Sequence, residues 1–289
     1  MIDRSTWIHL RFPFSFFLAP IALFGFSEAM PPLDPLAAPL IFIILHGLLY
    51  PASNGFNSYF DRDEGSIGGI EHPPVATRSL LVWSLLFDVL AVALGTLVSL
   101  WFALIVCVYG LLSKAYSWDR IRLKRRPVIS WLGVGLVQGG LTFLSVAVFG
   151  GAARPPLSMA RLWSGALAIS LLYLAGYPLT QVYQHDEDRR RGDRTISMLC
   201  GVRGTFILCA ILFAAAAAAF VFHYVLVRHE AWRAGLFFAC QVPLAGCFLD
   251  WARRVWREPA AATYRYAMRM NLVTAIVMSV FFVGMVLIS

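Results

Sequence analysis

The sequence predicts an all-α integral membrane protein with nine transmembrane helices around a central cavity. Three observations carry that expectation. Hydrophobic residues make up 59% of the 289 residues and charged residues 14%, with a mean hydropathy of +0.70. A soluble domain is about 45–50% apolar and about 25% charged, and a monomeric globule has no way to hide so much apolar surface. Nine stretches are apolar over roughly the 20 residues that a spanning helix needs. The basic residues also fall overwhelmingly in alternate gaps between those stretches. Disorder, a coiled coil and an ordinary cytosolic enzyme are excluded on composition alone.

Taken in order, the first stretch covers 13–30 and holds Pro13 and Pro20. It lacks a small-residue cleavage site, so it reads as a retained span and not as a signal peptide. The second covers 36–60. The third and fourth, 78–97 and 98–116, are joined by a very short link around Thr96–Ser99. The fifth to ninth cover 128–150, 159–184, 203–227, 233–252 and 267–288. With the N-terminus in the cytoplasm, 20 of the 24 Lys and Arg residues fall on the inner side. The outer gaps hold only Arg154, Arg161, Arg228 and Arg233. That asymmetry places the C-terminus outside and accounts for the net charge of +8 without any nucleic acid. A bacterial inner membrane is the expected location. The five cysteines show no paired metal spacing and mostly sit in apolar runs, as small core residues do.

Half of the 16 acidic residues fall in two short clusters. Asp61, Asp63, Glu64 and Glu71 follow the second stretch, and Asp186, Glu187, Asp188 and Asp193 follow the sixth. In the second stretch His46, Tyr50, Asn54, Asn57 and Asp61 step by four, four, three and four. In the sixth, Tyr173, Tyr177, Gln181, Gln184 and Asp188 repeat the same steps. Such spacing keeps one helical face. A polar stripe facing lipid is costly, so the two stripes are expected to face each other or a shared cavity. Polar contact between helices is the plainer alternative, since Asn and Gln often supply it.

Carboxylates and amides gathered at a membrane surface suit a hard cation such as Mg²⁺, which completes its shell with water and phosphate oxygens. Arg62, Lys114 and Arg194 lie nearby for the phosphates. A cavity with an apolar upper half and a metal–phosphate lower half fits a hydrocarbon-tailed diphosphate. Mg²⁺ would neutralise the diphosphate as it leaves. Tyr50, Tyr59, Tyr173 and Tyr177 could face an allylic cation with their rings.

At this point the chain resembles the UbiA superfamily of intramembrane prenyltransferases, over nearly its whole length of 1–289. The first family motif is matched by Asn57 and Asp61, with Gly65 where a further Asp is expected and Asp63 and Glu64 beside it. The second is matched by Asp188, Gly192 and Thr195, with Gln184 at its first Asp position and Asp186 and Glu187 beside it. Tyr116-Ser117 followed by Arg122-Leu-Lys124 and Pro127 is similar to the basic loop of branches that prenylate aromatic or tetrapyrrole acceptors. The resemblance implies a Mg²⁺-dependent transfer of a polyprenyl group from a polyprenyl diphosphate to a hydrophobic or aromatic acceptor. It implies Asp61 and Asp188 as the principal metal ligands, with Asn57, Asp63, Glu64, Gln184 and Asp186 around them. Arg122 and Lys124 are then expected on the diphosphate. A terpene cyclase on the same fold, or a transporter with paired polar helices, are the rival readings.

Overall fold

The computed structural model describes residues 2–153 and 158–288. Arg154, counted above on the outer side, lies outside them. In lipid every backbone polar group needs an internal partner, which leaves helices as the economical solution for so apolar a chain. Among the described residues nine helices are long and apolar enough to cross a membrane: Arg4–Glu28, Ala37–Asp61, Arg78–Val98, Leu100–Ser117, Pro127–Phe149, Met159–Thr180, Ile196–Val227, Ala231–Arg257 and Tyr264–Leu287. No strand forms there beyond two isolated bridges, Leu33 with Gly151 and Ile67 with Ile70.

The link between the third and fourth spans shrinks to one residue. Ser99 is extended, and its side chain caps the fourth span by accepting from the Trp101 amide. The first span begins at Arg4, earlier than the expected residue 13, because Asp3 caps the Thr6 amide at 2.7 Å. It breaks where Arg11 turns left-handed (φ 50°), runs as a 3₁₀ helix over Phe12–Leu18, and resumes at Ala19. Pro13 and Pro20 both sit at helix starts, where a missing N–H costs least.

Two further irregularities decide which residues reach the interior. The second span widens to a π-helix over Ile44–Leu49 before tightening again at Tyr50. A wide turn rotates the residues before it relative to those after it. The sixth span is α-helical only to Gly176, passes through a 3₁₀ turn at Tyr177–Thr180, and stops. Asp188 therefore stands on a separate short helix, His185–Arg190, and not on a continuation of the span. The unbroken stripe expected from Tyr173 to Asp188 is corrected accordingly.

The core is aromatic. Phe24 of the first span packs against Phe143, Phe282 and Phe220 at centroid distances of 4.5, 4.7 and 5.3 Å. Gly25 allows the first and fifth spans to approach, since a Cβ there would stand 2.5 Å from Val146 Cβ. Outward-facing Val89, Leu97, Leu104, Leu111, Ile211 and Val280 are exposed, as the bilayer requires. At the end of the bundle away from the acidic clusters, Glu28 is fully buried. It accepts from Arg161 at 2.6 Å and Arg228 at 3.1 Å, with His223 3.4 Å away. Ser164 hydrogen-bonds the other ring nitrogen of His223 at 2.8 Å.

Candidate active site

A cavity of about 470 Å³ opens among the spans and draws on residues from both acidic clusters. Asp61 is the last residue of the second span. The helix stops there because Arg62 turns left-handed (φ 49°) and closes the last turn onto the Ser58 carbonyl. Asp63 follows in the loop. Gln184 leads into the short helix that carries Asp188, and Gly192 ends it with φ 70°. Asn57, Asp61, Asp63, Lys124, Gln184 and Asp188 line one end of the cavity together. Tyr50, Tyr109, Tyr173, Tyr177, Leu172 and Met278 line the remainder, with Asn54 and Gln181 among them.

The basic loop enters this end through one contorted segment. Arg122 is left-handed (φ 43°) and opens a 3₁₀ turn over Leu123–Arg125. Arg122 and Lys124, two residues apart, thereby converge on the same carboxylates. Arg122 donates two hydrogen bonds to Asp193, both 2.8 Å, and a third to Asp119 at 2.7 Å. Lys124 Nζ bridges Asp61 at 2.6 Å and Asp193 at 2.9 Å. Asn57 spends both amide hydrogens, on Asp61 (2.6 Å) and Ser117 (2.8 Å), and its carbonyl oxygen has no hydrogen-bond partner among the described residues. Gln184 gives one hydrogen to the Ser66 carbonyl at 3.2 Å and likewise keeps an oxygen.

The two carboxylate environments differ. Burial alone would raise Asp193, but its bonds to Arg122 and Lys124 outweigh burial and hold it below the usual range. Burial pushes Asp188 up to about 7, against a partial pull from Lys124. Asp63 is raised by burial and by its neighbour Asp61. No ion pair or side-chain hydrogen bond holds Asp188 among the described residues. These are desolvated oxygen donors short of positive charge, and an all-oxygen set of this kind suits Mg²⁺. The donors fit the ion but do not form a finished cage. Among the described residues no three His, Cys, Asp or Glu side chains close on one point.

Several expected residues lie elsewhere. His46 belongs to the π-helical turn, which swings its ring off the Tyr50–Asp61 face. It bonds the Ser15 carbonyl at 3.0 Å, stacks on Phe42, and is absent from the cavity wall. Lys114 pairs with Asp88 between the third and fourth spans. Arg62 points over the Tyr59 ring at 6.0 Å, and Arg194 is exposed. Glu64 is exposed. Asp186 is 91% exposed and pairs with Arg189, because the helix turns it away from its neighbour Asp188. Arg122 reaches the carboxylates without lining the cavity. Sequence reasoning gave no role to Arg11, which lines the cavity and donates to the Gly68 and Asn54 carbonyls, each at 3.1 Å. Because the first apolar stretch reads from residue 13, Arg11 falls outside it in the sequence; only the span's actual start at Arg4 makes Arg11 an ionisable residue within a membrane helix. Asp193 was counted only as part of a cluster, and its pairing with the basic loop is visible only in three dimensions.

A family model described as the UbiA prenyltransferase family matches residues 18–273. No curated protein sequence matches the chain. Among solved structures, the apo form of a UbiA homolog from Aeropyrum pernix K1 superposes with a TM-score of 0.73 at 19% identity, covering 95% of this chain and 98% of that one. A UbiA homolog from Archaeoglobus fulgidus bound to DMAPP and Mg²⁺ gives 0.73 at 16% identity, with 99% and 100% covered. The same homolog bound to GPP and Mg²⁺ gives 0.72 at 17%, with 98% and 99% covered. The match extends over most of the sequence, and the superpositions take in all the spans around the cavity: the chain belongs to the UbiA prenyltransferase family.

Proposed function

We propose that the protein transfers a polyprenyl group from a polyprenyl diphosphate to a hydrophobic or aromatic acceptor, with Mg²⁺ as cofactor. The observation that carries this reading is the polarity of that cavity. Desolvated carboxylates and a buried ammonium stand at one end, and tyrosine and aliphatic walls make up the rest. The solved A. fulgidus relatives bound to Mg²⁺ with GPP or DMAPP support it.

Asp61, Asp63 and Asp188, with the free oxygens of Asn57 and Gln184, would hold Mg²⁺. The ion's chemistry, when bound, is to neutralise the diphosphate as the allylic carbon–oxygen bond weakens. The chain's own groups do the rest. Lys124 is placed to exchange a carboxylate for a phosphate oxygen, a charge-assisted contact of the same type. The Arg11 guanidinium faces the same space. The apolar walls would keep water from a developing carbocation, and Tyr173 and Tyr177 stand in the cavity wall where aromatic rings could stabilise it. Tyr116 and Tyr177 hydrogen-bond through their hydroxyls, which fixes both rings. We further propose that the charged end faces the cytoplasm, with the N-terminus inside and the C-terminus outside.

The test is product analysis. Full-length protein in lipid nanodiscs is given a panel of polyprenyl diphosphates, Mg²⁺ and candidate aromatic acceptors, and products are identified by mass spectrometry. A prenylated acceptor together with released diphosphate is expected. A cyclised hydrocarbon formed without acceptor would assign the chain to cyclisation instead, and an unconsumed diphosphate would refute both.

A further inference from the structure

Gly65 stands where the resemblance places a carboxylate, and another carboxylate occupies the space its side chain would need. Glu187, on the short helix after the sixth span, accepts from the Glu64 amide at 3.0 Å and from the Gly65 amide at 2.9 Å, one bond to each oxygen. A Cβ on residue 65 would lie 2.6 Å from Glu187 Oε2. A side chain at 65 and the present seat of Glu187 therefore exclude each other. Glu187 is only 13% exposed, and Arg191 offsets its charge from 3.6 Å while also standing 3.6 Å from Asp63. Its sequence neighbours finish the pattern. Glu187 precedes Asp188, Gly65 follows two residues after Asp63, and both aspartates line the cavity. Glu187 itself does not line it.

We infer that Glu187 is a positioning residue, clasping the amides of residues 64 and 65 so that Asp63 and Asp188 present their carboxylates to one cation. This rests on the reading of those aspartates as part of a metal–diphosphate site. The apparent loss of an acidic ligand at position 65 becomes an exchange of roles. The carboxylate now comes from the opposite loop, and it joins the two loops instead of meeting the ion. Gln184 reinforces the joint through its bond to the Ser66 carbonyl.

Mn²⁺ titration of the full-length protein in nanodiscs, followed by electron paramagnetic resonance, tests the clasp without requiring turnover. Glu187→Ala removes the carboxylate, and Gly65→Ala evicts it, since the clashing atom is the tip of a flexible side chain. Each variant should weaken Mn²⁺ binding by about tenfold, the scale expected for a residue that orients ligands. The double variant should be no weaker than either single one, because both remove the same joint. Asp188→Asn serves as the reference for the site itself. If Asp188→Asn loses binding but Glu187→Ala and Gly65→Ala stay within about twofold of the parent, the clasp is wrong and the site stands. Additive losses in the double variant would also overturn the clasp. If Asp188→Asn leaves Mn²⁺ binding unchanged, the metal site is misplaced and the inference falls with it.

Discussion

Lys124 holds two carboxylates, Asp61 and Asp193, and in the proposed reaction a phosphate oxygen takes the place of one of them. Because a charge-assisted contact contributes about 1.5–3 kcal/mol, Lys124→Gln is expected to lower kcat/KM by about ten- to a hundredfold. Arg125→Gln, from the same loop, is the comparison. Arg125 is 55% exposed and stands 3.6 Å from an Asp193 that Arg122 and Lys124 already hold more closely, so the loss of this long, solvent-screened contact should stay within about twofold. Steady-state kinetics with a diphosphate substrate separates the two, and equal small effects would leave the loop as a topology signal only. Asp188 predicts a pH dependence. Its carboxyl titrates near 7 when folded, against 3.8 for the ordinary group. Between those values the folded chain keeps a proton that the unfolded chain releases, so this group's contribution to stability falls as pH rises through that window and is flat above it. Divalent-ion binding runs the opposite way and strengthens as pH rises to about 7, because the ion needs the ionised form. Mn²⁺ titrations at pH 5.5 to 8.5 should show that rise in the parent and a smaller one, ending at lower pH, in Asp188→Asn, where Asp63, raised to about 6, still titrates.

At the scale of elements, the number and order of the spans were legible because twenty apolar residues have few alternatives in lipid. Four of the five second-stripe residues were legible too, since Tyr50–Asp61 is one regular helix. What escaped were departures from 3.6 residues per turn. The π turn at Ile44–Leu49 displaced His46, and the end of the sixth span put Asp188 on its own helix, although Tyr173, Tyr177, Gln181, Gln184 and Asp188 all still reach the cavity. A periodic count assumes an unbroken helix and registers neither event. The pairing of the basic loop with Asp193 was equally hidden, because residues 122 and 193 are distant in the chain and meet only through a left-handed turn at Arg122. That turn predicts a role for Asp193 in shaping the loop. Asp193→Asn keeps the size of the side chain but weakens its hold on both cations. It should raise KM for the diphosphate and lower the melting temperature less than Glu28→Ala, because Asp119 and Asp61 still hold Arg122 and Lys124. A large fall in melting temperature with unchanged KM would mean that the contact is only structural.

Across the whole molecule the two ends are built differently. The charged end opens into the cavity and mixes carboxylates with Arg122, Lys124 and Arg191, whereas the far end is closed around Glu28, whose carboxylate is buried against Arg161, Arg228 and His223. Removing one member of a buried ion cluster leaves the others uncompensated, so Glu28→Ala should cost about 3–5 kcal/mol, read as a lowered unfolding midpoint. Fusions of a periplasmic reporter to the C-terminus test the proposed orientation, with activity expected only if that end lies outside. The closed end also bears on the membrane that holds the protein. A bilayer that stores a voltage cannot tolerate a wet passage through it, and a polar cavity among nine helices is a step towards one. The aromatic plug around Phe24 and the ion cluster beyond it stop that water short. A fold closed in this way meets the demand that an energised membrane makes of any protein with a hollow interior.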